Sequence, residues 1–135
     1  MGCMRFPKTR NSGVKNIIDE PESIKMIQYA VDNGVNYFDT AYTYEHSEEI
    51  LGKALSKGLR ERVFIATKSP VYIIKKSGDF DKYLDEELKR LQTNYIDFYL
   101  LHMLHKNSWE KVNKLRLLDK LITAKKEGKI KYMAF

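Results

Sequence analysis

The chain is poor in cysteine. Cys3 is the single thiol among 135 residues, so no internal disulfide can form, and a lone thiol suits a reducing, cytoplasmic setting. Long apolar runs are missing too. None approaches the ~20 residues needed to cross a bilayer, and the start, MGCMRFPK, lacks the apolar stretch of a signal peptide. A membrane role is excluded on this reading. The glycines Gly34, Gly52, Gly58 and Gly128 read as helix stops or packing sites, and none stands in a phosphate-cradling GxGxxG loop. The net charge of +6 raises the question of nucleic acid. The basic residues are scattered, however, from Lys57, Arg60 and Arg62 through Lys75 and Lys76 to Lys125, Lys126, Lys129 and Lys131. They fall near helix ends, where cations suit the helix dipole, and no motif mixes them with aromatic residues. They read as solvated surface, with no nucleic-acid partner.

What is present describes a globular domain. Hydrophobic residues make up 43% and charged residues 31% of the chain, and the length fits one domain with a modest core. Gly34 to Lys68 sets the pattern. A short apolar run, Val35 to Phe38, stops at Asp39. A polar and aromatic loop leads to a helix with Ile50, Leu51, Ala54 and Leu55 on one face. A second run, Val63 to Thr67, stops at Lys68. The same unit recurs along the chain. Residues 2–6 read as a first short strand ended by Pro7, and residues 8–18 as irregular, with Asn11-Ser12-Gly13 as a turn. Asp19 caps a helix that runs to about Asp32, with Ile24, Ile27, Tyr29, Ala30 and Val31 inward and Asn33-Gly34 as its stop. Ser47 is expected to cap the next helix, with Glu48 and Glu49 in its first turn. A third helix, about Phe80–Gln92, should bury Tyr83, Leu84, Leu88 and Leu91. The run Tyr95–Leu101 reads as a strand ending at His102. A loop with His105 and Trp109 precedes a helix over about Val112–Lys126, and Ile130–Ala134 forms a last strand.

Strands separated by helices imply parallel pairing with right-handed crossovers. Units of about 30 residues suit a (β/α)8 TIM barrel, of which a full copy takes eight units and ~250 residues. The expectation is an α/β fold, a partial barrel of about four βα units plus a fifth strand. In such a sheet the carboxyl ends of the strands share one rim. Asp39, Lys68 and His102 end three strands, and Tyr44 lies just past Asp39. An ammonium beside a phenol favours the phenolate, a carboxylate keeps the ammonium charged and in place, and an imidazole can hydrogen-bond a substrate oxygen. This set suits protonation of a carbonyl oxygen while hydride reaches the carbon. Each residue has an ordinary reading as well: a turn carboxylate for Asp39, one of nine tyrosines for Tyr44, a solvated lysine for Lys68 and a core histidine for His102. The shared rim favours the site reading. Tyr42, Glu45, His46, His105 and Trp109 read equally as mouth or plain loop. A metal held by His102, His105, Asp39 and His46 is set aside, since no second pair of strand-end histidines supports it.

The segments FDTAYTYEHSEEILGKAL, VFIATK, LKRLQTNYIDFYLLH and AKKEGKIKYMAF resemble the aldo-keto reductases, in order and over nearly the whole chain. The resemblance implies a (β/α)8 barrel that reduces small-molecule carbonyl substrates with NADPH or NADH. It maps the family's tetrad onto Asp39, Tyr44, Lys68 and His102, with Tyr44 as proton donor, Lys68 and Asp39 tuning it, His102 orienting the substrate, and Asp39 on the nicotinamide side. GCMRFP and LQTNYIDFYLLHMLHKNSWE look most like the microbial branch whose longer members carry a C-terminal iron–sulfur extension; no cluster is expected in this chain. Residues 1–135 correspond to the N-terminal half of the family's domain, truncated at both ends, and most of the cofactor-holding residues belong to the other half. Two functional classes follow. One is the reductase. The other is an inert half barrel that needs a second half or forms a homodimer through its open edges.

Overall fold

The computed structural model describes residues 1–9 and 17–134; the expected turn at Asn11-Ser12-Gly13 lies outside them. Helix α1 (Glu20–Asp32) begins where the Asp19 carboxylate accepts the Glu22 N–H at 3.1 Å, with Pro21 in the first turn. It ends at Asn33 and Gly34, where Gly34 takes φ +89°, a left-handed geometry that glycine adopts without strain. Ile27 and Val31 are buried as expected, but Tyr29 is 72% exposed.

Strand β1 (Tyr37–Asp39) is shorter than the run that announced it. Then come α2 (Ser47–Leu55), β2 (Phe64–Ser69), α3 (Gly78–Arg90) and β3 (Ile96–Leu101). Two helices follow, α4 (Lys106–Lys114) and α5 (Leu117–Lys126), and then β4 (Ile130–Ala134). The strands lie in one sheet in chain order, all neighbours parallel. This is half of a β/α barrel.

Three expectations need correction. The strand over residues 2–6 is reduced to one bridge, Gly2 to Asp39, and the chain then pairs antiparallel with itself through Lys8 and Ile18, where the Thr9 N–H donates to the Ile17 carbonyl and the Asp19 N–H to the Pro7 carbonyl, both at 2.8 Å, so the ends of the stretch expected to be irregular form a bridge. The single helix over Val112–Lys126 is broken at Arg116, whose φ of 53° starts a new helix, and the first part begins earlier, at a cap built by His105. Ser47 is the first residue of α2 and not its cap; its hydroxyl bonds Thr40 Oγ1 at 2.7 Å and the Cys3 carbonyl at 2.9 Å.

The core lies between the sheet and the helices. Tyr99 of β3 meets Phe80 of α3 edge-on at 5.9 Å, and Ile50, Leu51 and Leu55 of α2 join Ile65 and Leu91 beside it. Helix α2 reaches α3 at very short range. A Cβ at Gly52 would stand 2.5 Å from the Arg90 carbonyl oxygen and 2.7 Å from the Leu91 carbonyl carbon. Both are backbone atoms and cannot swing away, so overpacking here moves a helix. Gly52→Ala is expected to cost about 1–3 kcal/mol or more, read as a fall in thermal midpoint; an unchanged midpoint would refute the close approach.

The other side of the sheet is the barrel interior. There Phe98 stacks on Tyr132 at 5.2 Å and meets Tyr37 at 5.6 Å and Phe64 at 6.2 Å. Tyr37, Phe64 and Tyr132 are about half exposed. At the amino ends of the strands, Asp97 binds Arg60 at 2.8 Å and Lys131 at 3.1 Å. No described helix is long and apolar enough to cross a membrane.

Candidate active site

Four side chains meet at the carboxyl ends of the strands. Asp39 closes β1, and its main chain is gripped by the N-terminal segment. Its N–H donates to the Met1 carbonyl at 2.9 Å, and its carbonyl accepts the Cys3 N–H at 2.7 Å. Cys3 is thereby packed away, and burial pushes its thiol up to about 12, so it stays protonated.

Lys68 is the penultimate residue of β2. Its ammonium donates to Asp39 Oδ1 and to the Thr40 carbonyl, both at 2.6 Å. With only 14% of the side chain exposed, the ammonium is held between a carboxylate and a main-chain dipole. Tyr44 sits on the β1–α2 loop with its ring centroid 5.0 Å from Lys68 Nζ. His102 follows β3 directly. Its N–H donates to the Ser69 carbonyl at 3.0 Å, and its ring lies edge-on to Tyr44 with centroids 5.9 Å apart at 83°. The four residues named from the sequence are therefore neighbours.

His102 Nδ1 is buried and has no hydrogen-bond partner among the described residues. Burial pushes this imidazole below its ordinary value, and the Lys68 ammonium pushes the same way, against a smaller opposing effect of Asp39. His102 is therefore neutral at pH 7. Its folded value lies below its unfolded one, so the folded state binds fewer protons between the two. The stability this group contributes is present above pH 6.5 and is lost as pH falls through the folded value. An NMR titration of His102 should give a midpoint below 6.5; a midpoint at or above it would contradict this environment.

The loop residues divide. The Tyr42 ring turns away from the mouth toward α3, where its hydroxyl donates to Glu86 at 3.0 Å. Glu45 forms an ion pair with Lys8 at 2.9 Å. His46 is exposed, in left-handed backbone geometry, 3.9 Å from Glu49. His105 caps α4: its Nδ1 accepts the Ser108 N–H at 3.4 Å, and its own N–H donates to Ser108 Oγ at 2.7 Å. Trp109 lies on α4, 40% exposed.

Sequence reasoning missed the support of this loop. Glu48 stands in the first turn of α2 as expected, and its side chain is 1% exposed. It accepts the Thr67 hydroxyl at 2.6 Å and Arg90 Nη1 at 3.3 Å. Burial holds this carboxyl above its ordinary range. Arg90 also donates to the Tyr42 carbonyl at 3.2 Å. The one available signal was the arginine at the end of an otherwise regular helix.

Comparison with known proteins bears on the family and the fold. The family model described as the aldo/keto reductase family matches residues 1–135. An aldo-keto reductase of Bacillus subtilis is 38% identical over 62% of this chain and 28% of its own length. One of Glycine max is 34% identical over 98% of this chain and 39% of its own. Among solved structures, an aldo-keto reductase of Pseudomonas aeruginosa superposes with TM-score 0.78 at 27% identity, over 99% of this chain and 54% of that one. An aldo-keto reductase of Klebsiella pneumoniae in complex with NADPH does so with TM-score 0.72 at 25% identity, over 99% and 43%. The chain thus spans less than half the length of these curated relatives. Matched from end to end by the family's model and superposing on about half of a solved member's chain, the chain belongs to the aldo/keto reductase family.

Proposed function

We propose that Asp39, Tyr44, Lys68 and His102 form the proton-donating end of a site that reduces small carbonyl compounds with NADPH or NADH. The observation that carries this is the Lys68 ammonium, fixed to Asp39 at 2.6 Å and set 5.0 Å from the Tyr44 ring, with the His102 ring edge-on to Tyr44. The donor set fits a reduced nicotinamide beside it, since the groups around the mouth donate protons and hydrogen bonds and leave the hydride to another molecule. The bound cofactor would supply a hydride to the carbonyl carbon. Asp39, on the open inner face, stands on the nicotinamide side of the site.

The chain's own work is on the oxygen. The neutral His102 imidazole donates one N–H to the carbonyl oxygen and orients it. Tyr44 gives its hydroxyl proton to that oxygen, which becomes the alcohol. The phenolate left behind faces the Lys68 ammonium, which favours that charge, and takes a proton back from water. Asp39 keeps Lys68 in place.

The choice of a reduced nicotinamide draws support from the Klebsiella pneumoniae relative, whose solved structure holds NADPH. The test is a calorimetric titration of NADPH and NADH into the purified chain. Saturable binding, followed by consumption of the reduced nicotinamide when a small aldehyde is added, supports the reading. A folded chain that neither binds nor consumes it overturns the reading.

The open inner face carries a second reading. Tyr37, Phe64 and Tyr132 are about half exposed, and β4 has β3 on one side and no strand on the other among the described residues. We infer that the chain by itself forms a homodimer through this face and its edges. Gel filtration should give a dimer, and a monomer would refute it.

A further inference from the structure

Tyr44 has no side-chain hydrogen bond to the barrel among the described residues; its place depends on the loop that carries it. That loop, residues 40–46, is tied down at its start. The Thr40 N–H donates to the Ala66 carbonyl at 2.8 Å, and the Thr40 hydroxyl meets Ser47 Oγ at 2.7 Å. The middle is tied by the Tyr42 N–H, which donates to the Lys68 carbonyl at 3.4 Å, and by a residue far along the sequence. Arg90, the last residue of α3, lays its guanidinium over the Tyr42 ring at 4.2 Å and donates from Nη1 to the Tyr42 carbonyl at 3.2 Å. The same guanidinium binds Glu86 at 2.6 Å, Glu48 at 3.3 Å and Glu49 at 3.5 Å. Tyr42 is thus gripped on its ring, its carbonyl and, through Glu86, its hydroxyl at 3.0 Å.

The grip is continuous with the site. Glu48 passes from Arg90 to the Thr67 hydroxyl at 2.6 Å, and Thr67 precedes Lys68 in β2. One guanidinium therefore binds both the loop that carries Tyr44 and, through one carboxylate, the strand that carries Lys68. A planar fork with five donors can do this, and a lysine ammonium cannot stack and fork together. The close approach at Gly52 sets the distance, since it seats the Arg90 carbonyl against α2.

We propose that Arg90 is a positioning residue for the reaction: through the Tyr42 ring and carbonyl it fixes the β1–α2 loop so that Tyr44 stays against Lys68 and His102. The inference rests on the carbonyl-reduction reading for its consequence in turnover, and on geometry alone for the placement of Tyr44. A loop displaced by about 1 Å can lower a rate by as much as ~100-fold.

The test reads position and turnover separately. The His102 ring-proton resonance senses the Tyr44 ring beside it, and Tyr44→Leu supplies its value with that ring absent. Arg90→Met is made together with Glu48→Gln, so that no buried carboxylate is left without a partner. The double variant, folded by circular dichroism, is expected to shift the His102 resonance most of the way to its Tyr44→Leu position. Its kcat should fall ~10- to 100-fold with KM for the nicotinamide little changed. A His102 resonance unmoved from the parent position overturns the proposal. Should the double variant fail to fold, Arg90→Lys serves, since it keeps the charge facing Glu86 and Glu48 and loses the stack; an unmoved resonance there overturns the proposal equally. A parent chain with no turnover but with the shift intact would remove the carbonyl-reduction reading and leave the positioning role standing.

Discussion

Tyr44→Phe is expected to lower turnover by roughly 10²–10⁴-fold, the usual worth of a placed general acid. The substitution removes one hydroxyl and keeps the ring. The edge-on contact with His102 and the face turned to the Lys68 ammonium both survive, so the shape of the mouth does not change. Only the proton is lost. Binding of the nicotinamide should therefore persist while kcat falls, and that separation marks a group acting in the transition state rather than in holding ligands. Full turnover by the phenylalanine variant would remove Tyr44 from the chemistry.

The second large effect is on folding. Asp97→Ala is expected to cost about 3–5 kcal/mol, against a total stability of about 5–15 kcal/mol for a domain. Asp97 is 1% exposed and accepts the Arg60 guanidinium at 2.8 Å, the Ile65 N–H at 3.0 Å and the Lys131 ammonium at 3.1 Å. Without it, Arg60, whose side chain is 10% exposed, loses its counter-charge, and a buried main-chain N–H loses its acceptor. Burial alone would raise the Asp97 carboxyl, but the Ile65 N–H, Arg60 and Lys131 outweigh that and hold it below its ordinary range. The sign follows. The folded value lies below the unfolded one, so the stability is present above about pH 3.8 and is lost as pH falls through the folded value. Urea melts should show a wide gap between parent and variant at pH 7 and a narrower one in strong acid. Lys131→Ala, at the exposed end of the same cluster, should cost only about 0–1 kcal/mol. Equal losses for the two variants would contradict the cluster as drawn.

The order of elements was legible in the chain, because apolar runs at strand spacing alternate with runs at helical spacing and Asn33-Gly34, Gly58 and Gly128 punctuate them. So was the meeting of Asp39, Lys68 and His102 on one rim, because each stands where an apolar strand gives out. Periodicity could not show what lies under the site. It treats a carboxylate as surface, and Glu48 in the first turn of α2 suits that reading, yet the side chain is buried against Thr67 and Arg90. Glu87 is the sharper instance. It falls on the inward face of α3 between Leu84 and Leu88, and it is fully buried, with Tyr99 donating to it. Burial and the neighbouring Glu48 carboxyl hold it well above the ordinary range, and its Oε1 has no hydrogen-bond partner among the described residues. The break at Arg116 was hidden for another reason. The apolar positions from Val112 to Ala124 run through it at nearly helical spacing, and α4 opens on a histidine cap, which no common start signal resembles. Tyr29 was misplaced for the opposite reason: its aromatic ring counts as apolar in the helical pattern, yet it is 72% exposed.

The most direct measurement follows an isotope. The protein is mixed with NADPH carrying deuterium at the transferable position and a small aldehyde in ordinary water, and the product is read by mass spectrometry and NMR. An alcohol with one deuterium on the former carbonyl carbon and none on the oxygen is the expected result, and its yield should collapse in Tyr44→Phe. No alcohol from a folded, NADPH-bound protein, or an alcohol without deuterium on that carbon, would contradict the assignment of Asp39, Tyr44, Lys68 and His102 to carbonyl reduction.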